Sequence, residues 1–185
     1  MVWLGADLPS PRRLGGPVGR PLAYLITFTC YGTRLHGDER GSVDRENCAP
    51  ETAYVPASPP RMKYERLRMK SAPYLLGSEE RSVVLDVIQD VCAGSGYALS
   101  AAHVRTNHVH VVVAGDADPE GVMGRIKGRA SFELNRIEGR SSKRWSRHGS
   151  TRYLWTDEAV VQAVRYVLFG QGEPMAVYPD NLEAR

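Results

Sequence analysis

The sequence predicts an α+β domain in which helices cover one face of an antiparallel sheet. Three observations carry that expectation. Short β-branched and aromatic runs alternate with stretches of helical period, two of those runs abut through a three-residue turn, and the elements follow the order β, α, β, β, α, β, α. That order is the split-βαβ, ferredoxin-like plan with one helix added at the C-terminus.

Residues 1–20 mix Gly, Pro and Arg without periodicity and read as a disordered leader or an over-extended start. The domain is expected to span 21–178, leaving 179–185 as a tail. Its first strand is Ala23-Tyr24-Leu25-Ile26-Thr27-Phe28-Thr29-Cys30, dense in β-branched and aromatic residues. Residues 31–77 carry Gly, Pro and charge with little period and read as a long insertion, with a short helix expected around Lys63 to Lys70.

Ser78 is the expected N-cap of the next helix, with Glu79 and Glu80 in its first turn and Val83, Val84, Val87, Ile88 and Val91 as its buried stripe. It should stop near Gly94 and Gly96. Strands at about Tyr97 to Val104 and His108 to Ala114, joined by Arg105-Thr106-Asn107, make a β-hairpin. A helix after Asp118-Pro119 then sets Val122, Met123, Ile126, Ala130, Leu134 and Ile137 on one side. A basic linker from Arg140 to Arg152 leads into the short apolar segment Tyr153-Leu154-Trp155. Thr156 and Asp157 cap the final helix, which runs to about Phe169 and is ended by Gly170, Gly172 and Pro174.

At 185 residues, 42% hydrophobic and 24% charged, the chain has enough material for one well-packed domain. No stretch approaches the roughly 18–20 uncharged apolar residues of a membrane span, and no apolar run marks a secretory signal, so a cytoplasmic protein is expected. Cys30, Cys48 and Cys92 are scattered, form no C-x-x-C pair, and suit packing in a reducing compartment. The net charge of +3 permits a nucleic-acid partner without requiring one.

Asn107-His108-Val109-His110 opens the third strand, and strand alternation puts His108 and His110 on one face with Val109 on the other. Two adjacent imidazoles can chelate one ion. With five histidines in the chain, an H-x-H pair also arises by composition, so the motif alone is weak. Its context is stronger, because the pair heads the apolar run Val111-Val112-Val113 and its backbone is held in a sheet. His103, on the neighbouring strand, is either a further imidazole near the pair or a cross-strand packing partner, and it is left out of the site.

On the final helix Val160, Ala163, Val164, Val167 and Leu168 form the expected buried face, with Tyr166 at its border. Such a tyrosine commonly packs its ring and wets its hydroxyl. It can also attack a phosphodiester, given help: a phenol ordinarily titrates near 10, and a divalent ion can polarise the phosphate and orient it in line.

Three stretches resemble the HUH single-tyrosine transposases of the insertion-sequence 200-like and REP-associated group. They are LITFTCYGTRLHGDERGSVD (25–44), HVRTNHVHVVV (103–113) and RHGSTRYLWTDEAVVQAVRYVLFGQGEPMAVY (147–178). The resemblance implies that His108 and His110 hold Mg²⁺ or Mn²⁺, that Tyr166 forms a 5′-phosphotyrosine link to single-stranded DNA with release of a 3′-OH, that hairpins are recognised, and that a homodimer is possible. Relatives often place Gln or Asn four residues after the tyrosine to complete the metal shell. Here that position is Gly170, with Gln171 one place later: either Gln171 substitutes as metal ligand through an unwound helix end, or a water fills the site, or the copy is decaying.

Arg125, Arg129 and Arg136 fall together on the projection of the second long helix, with Lys127 on the same helix. With Arg140, Lys143, Arg144, Arg147 and Arg152 they concentrate charge that reads either as a DNA-backbone surface beside the site or as a solvated helix face and linker. Of these, Arg125, Lys127, Arg129, Arg136, Lys143 and Arg144 are the expected DNA contacts. Trp145, Tyr153 and Trp155 could stack unpaired bases, although core packing suits Trp155 better. Tyr31, Arg34, His36 and Arg40 have no assigned role. Three functions stay open: a DNA strand transferase, a hairpin-binding derivative that no longer cleaves, and an unrelated H-x-H metallohydrolase.

Overall fold

The structure, a computed structural model, describes residues 19–35, 37–38, 57–116 and 118–180. Most of the expected leader, the tail beyond residue 180, and His36, Arg40 and Cys48 lie outside the described residues. The chain divides into two compact units, residues 1–19 with 34–72, and residues 20–33 with 73–185.

The smaller unit contains helix α1 (Pro59–Leu67). It starts ahead of the expected Lys63 because Ser58 accepts from the backbone N–H of Arg61 at 3.4 Å and the two following prolines preset helical φ where no donor is needed.

The larger unit contains β1 (Ala23–Cys30), α2 (Ser78–Gly94), β2 (Ala98–Val104), β3 (His108–Ala114), α3 (Pro119–Glu138), β4 (Trp145–Leu154), α4 (Asp157–Phe169) and β5 (Ala176–Tyr178). Its sheet runs β4-β1-β3-β2-β5, with every neighbouring pair antiparallel. The first four strands have the ferredoxin-like order, and β5 extends the sheet beyond β2.

Alternation along β1 and β3 sorts the faces. Ile26 and Phe28 with Val109, Val111 and Val113 turn to one side, where Val84, Val87 and Ile88 of α2 and Met123, Ile126 and Leu134 of α3 close the main core. Ala23, Leu25 and Val112 turn to the other, where Ala163, Val167 and Leu168 of α4 cover them. Thus α2 and α3 share a face, and the added helix α4 takes the opposite one. Each fully buried Val, Leu or Ile contributes about 1.5–3 kcal/mol, so both layers are held by several such side chains.

Several local expectations change. The N-cap of α2 is Gly77, with Ser78 inside the helix, where its carbonyl accepts from Ser82 Oγ. Val83 and Val91 are only partly buried, and Leu85 and Cys92 take full places in the core. Strand β2 starts one residue after Tyr97. The α3 cap is as expected, with Asp118 accepting from Gly121 N–H at 3.0 Å, but Ile137 is exposed one turn beyond Leu134.

The largest change is in the basic linker. Residues 145–154 form the ten-residue edge strand β4, paired with β1 along its length apart from a bulge opposite Phe28 and Cys30. At Gly149 an added Cβ would collide with Met123 Sδ and the Thr27 carbonyl, so only glycine lets α3 lie this close. No described helix is long and apolar enough to cross a membrane.

Candidate active site

Because β1 and β3 pair with Thr27 opposite His110 and Thr29 opposite His108, the face under α4 carries both imidazoles and both threonines. The histidine rings stand edge to face, centroids 4.8 Å apart. Each Nδ1 has a partner: Asn107 Oδ1 lies 2.7 Å from that of His108, and Thr27 Oγ1 lies 2.8 Å from that of His110. Such outer contacts fix ring orientation and leave Nε2 as the ligating atom. His110 is 5% exposed, and burial, followed by the neighbouring His108, pushes its pKa down to about 3 despite a hydrogen bond to the Gln171 side chain, which favours the charged form. It is therefore neutral, as a ligand must be.

Helix α4 starts at Thr156, whose hydroxyl accepts from Ala159 N–H at 3.2 Å. Val160 and Val164 are half-buried beside the fully buried Ala163, Val167 and Leu168. Tyr166 is also half-buried, its ring edge-on to His110 with centroids 5.5 Å apart. The helix ends at Phe169, and Gly170 closes it through its N–H to the Tyr166 carbonyl at 2.9 Å. A Cβ at Gly170 would come within 2.8 Å of that carbonyl and 2.9 Å of the Tyr166 ring, so this helix end excludes a side chain there. The next residue turns back: Gln171 Oε1 lies 3.3 Å from His108 Nε2, and Gln171 Nε2 lies 3.5 Å from the Tyr166 carbonyl.

Among the described residues no three His, Cys, Asp or Glu side chains cluster as metal ligands. The converging set is two imidazoles and one amide. With Nδ1–H of His108 donated to Asn107 Oδ1, the lone pair on Nε2 faces the carbonyl oxygen of Gln171 at 3.3 Å. Two acceptors turned toward each other at that separation suit a cation between them, so this donor set fits the divalent ion that the resemblance implies.

The basic residues do not gather here. Helix α3, with Arg125, Arg129 and Arg136, packs on the face opposite the histidines. Arg129 and Arg136 both pair with Glu133, at 3.1 and 3.0 Å, and Arg125 lies over the Tyr97 ring. The half-buried Lys127 donates to the carbonyls of Ser146 and His148 on β4 at 3.1 and 3.3 Å. Lys143 is exposed and sits over the Tyr31 ring.

Arg144 is withdrawn from the DNA-facing set. Its guanidinium is buried, ion-paired with Glu138 at 3.1 Å, bonded to Asn135 and to Tyr74 Oη, and stacked on the Tyr74 ring, which leaves it no phosphate to meet. Trp145 is withdrawn from base stacking for the same reason: it is buried, its indole N–H shared by the Lys127 carbonyl and Ser131 Oγ. Tyr153 and Trp155 stack on each other, with Trp155 40% exposed. Burial holds the Cys30 and Cys92 thiols protonated, pushed up to about 12 and about 11.

Sequence reasoning missed Thr27 and Asn107 as partners of the histidines and left His103 out of the site. Asn107 was legible as the immediate neighbour of His108. Thr27 depends on strand register, which sequence alone does not fix.

The family model described as "Transposase IS200 like" matches residues 67–166, more than half of the chain, and takes in His108 and His110 and ends on Tyr166. The chain belongs to the IS200-like transposase family. Two solved structures are similar to this transposase-family chain. One is described as a REP-associated tyrosine transposase bound to a REP hairpin, with 12% identity, 88% of this chain and 72% of that chain covered, and a TM-score of 0.47. The other is a candidate transposase from Deinococcus radiodurans R1, with 12% identity, 84% and 95% covered, and a TM-score of 0.45. No curated protein matches.

Proposed function

We propose that the chain is a DNA strand transferase that cuts and rejoins single-stranded DNA, with hairpins as substrate, through a covalent link to Tyr166. The observation that carries this reading is the Tyr166 ring beside His110, with Gln171 at the same helix end facing His108. His108, His110 and Gln171 would hold Mg²⁺ or Mn²⁺, which when bound polarises a phosphate oxygen and makes phosphorus more electrophilic. The catalytic domain is residues 21–178, working in the cytoplasm.

The Tyr166 oxygen attacks phosphorus while its proton passes to solvent. The bond from phosphorus to the 3′ oxygen breaks, and that oxygen takes up a proton to become a free 3′-OH. The 5′ phosphate stays on Tyr166 as one diester exchanged for another, so attack by a 3′-OH reverses the step and restores the phenol. Tyr166, seated on a helix that rests on the sheet, supplies orientation: Val167 and Leu168 bury the helix and fix the approach of its ring to His110.

The exposed Arg125, Arg129, Arg136 and Lys143 are proposed to meet phosphates of the DNA outside the cleaved strand. Gly170 is the feature that favours a hairpin-binding derivative without cleavage; Gln171, facing His108 from the next position, supports the cleaving reading instead. The test is to incubate the protein with labelled single-stranded hairpin DNA from the flanks of its own gene, with Mn²⁺ or Mg²⁺. A denaturation-resistant adduct is expected, and it should vanish in Tyr166→Phe and in His108→Ala. Binding of cognate DNA without an adduct would turn the conclusion to the non-cleaving derivative, and turnover that survives Tyr166→Phe to a metallohydrolase.

A further inference from the structure

Strand β1 brings two threonines onto the face of the histidine pair, both half-buried, and their hydroxyls are committed differently. Thr29 Oγ1 donates to Ser146 Oγ at 3.0 Å, which donates in turn to the Cys30 carbonyl at 3.2 Å, so both protons are used within the sheet. Thr27 Oγ1 instead stands 2.8 Å from Nδ1 of His110. One proton lies between that pair, and which group owns it decides where the other proton points.

A neutral imidazole that ligates through one nitrogen carries its proton on the other. His110 has Nδ1 occupied by Thr27, so it can offer only Nε2, and then Nδ1–H must donate to Thr27 Oγ1. Thr27 becomes the acceptor, and its own O–H is released to donate elsewhere. In an extended strand no carbonyl of a preceding helical turn is there to take it, and the Tyr166 ring stands next to His110.

Resting on the strand-transfer reading, we propose that Thr27 is a catalytic residue with two linked contacts: it fixes His110 as the Nδ1–H tautomer, and it donates its hydroxyl proton to a non-bridging oxygen of the scissile phosphate. The second contact depends on the first. Only when Nδ1 keeps the imidazole proton does the hydroxyl have one to offer, so loading the metal site also arms the phosphate donor.

The test compares Thr27→Val, which keeps shape and loses the hydroxyl, with Thr27→Ser, which keeps it, and with Thr29→Val, at a position whose hydroxyl is committed to Ser146. Mn²⁺ titration of the metal-free full chain, followed by electron paramagnetic resonance, should show affinity about 10- to 100-fold weaker in Thr27→Val, as for loss of a partner that orients a ligand. At saturating Mn²⁺ and DNA, single-turnover adduct formation should fall about 10²- to 10³-fold, as for loss of one positioned donor. Thr27→Ser should recover both, and Thr29→Val should match the wild type. Nitrogen-15 spectra of the Zn²⁺-loaded wild type should place the His110 proton on Nδ1.

Wild-type affinity and rate in Thr27→Val, or a His110 proton on Nε2, would overturn the inference. Should Thr27→Val fail to fold, the tautomer still decides. A wild type that forms no adduct on its cognate DNA would sink the strand-transfer reading and the phosphate donor with it, while the affinity and the tautomer would still judge the orientation of His110.

Discussion

The imidazole of His103, fully buried on β2, donates from Nδ1 to the carbonyl of Val167 at 3.0 Å and accepts at Nε2 from the backbone N–H of Met175 at 3.2 Å. One side chain thus ties the sheet to the last turn of the helix bearing Tyr166 and to the approach to β5. Of its two sequence readings, packing partner or site imidazole, the packing role holds. His103→Leu strands a carbonyl and an N–H, each costing about 1–3 kcal/mol. Urea denaturation should show that loss, and His103→Gln, whose amide can both donate and accept, should lose less.

Acid should act through the same ring. Burial lowers the pKa of His103 below its ordinary value, with the nearby Arg105 adding to the effect and the Val167 carbonyl opposing it. His110 lies directly across the strand pair and is lowered in the same direction. The unfolded chain takes up these protons near pH 6.5, the folded chain only at lower pH. Stability is therefore fully present above 6.5 and declines as the pH falls below it, by up to about 1.4 kcal/mol per pH unit for each such histidine. Melting of the metal-free protein at pH 7.5 and 5.5 should differ more for the wild type than for His103→Gln.

The helix end should tolerate little change. Gly170→Ala sets a Cβ against the Tyr166 carbonyl and ring. Either the ring moves or the last turn opens, and both separate Gln171 from His108. We expect Mn²⁺ affinity to fall in Gly170→Ala, and by about tenfold in Gln171→Ala if the amide is a ligand worth about 1.4 kcal/mol. Equal affinity in Gln171→Ala would remove it from the metal shell.

How far the sequence foretold this site depended on whether a feature was local. His108 and His110 share a face by strand alternation, and Tyr166 borders a stripe by helical spacing, so both could be read from a few neighbours. Strand β4 could not. It is an edge strand whose middle residues, Arg147 to Ser150, are exposed, so it lacks the apolar alternation that reveals β1 and β3. Thr27 meets His110 across 83 positions, through a register that only the assembled sheet fixes. Charge was the least legible property, since a run of Arg and Lys does not say which of them finds a carboxylate inside.

Arg144 is that case, and it gives the sharpest stability prediction. Its guanidinium has no exposed surface, and it is the buried one of the two cations on Glu138, whose side chain is 13% exposed and which also pairs with the exposed Arg140 at 3.3 Å. Arg144→Met leaves that carboxylate with Arg140 as its cation and the Tyr74 hydroxyl as donor, so the loss should fall at the low end of the about 3–5 kcal/mol for removing one partner of a buried pair. Adding Glu138→Gln removes the stranded charge and should recover part of the loss, measured as a double-mutant cycle in urea. The folded fraction of Arg144→Met should keep the wild-type salt dependence of DNA binding, because a buried cation releases no counterion from the phosphates. By contrast Lys143→Gln, at an exposed position proposed to meet DNA, should flatten the slope by about 0.7–0.9 for the one phosphate it no longer neutralises. A flattened slope for Arg144→Met would return that residue to the DNA surface and contradict its burial.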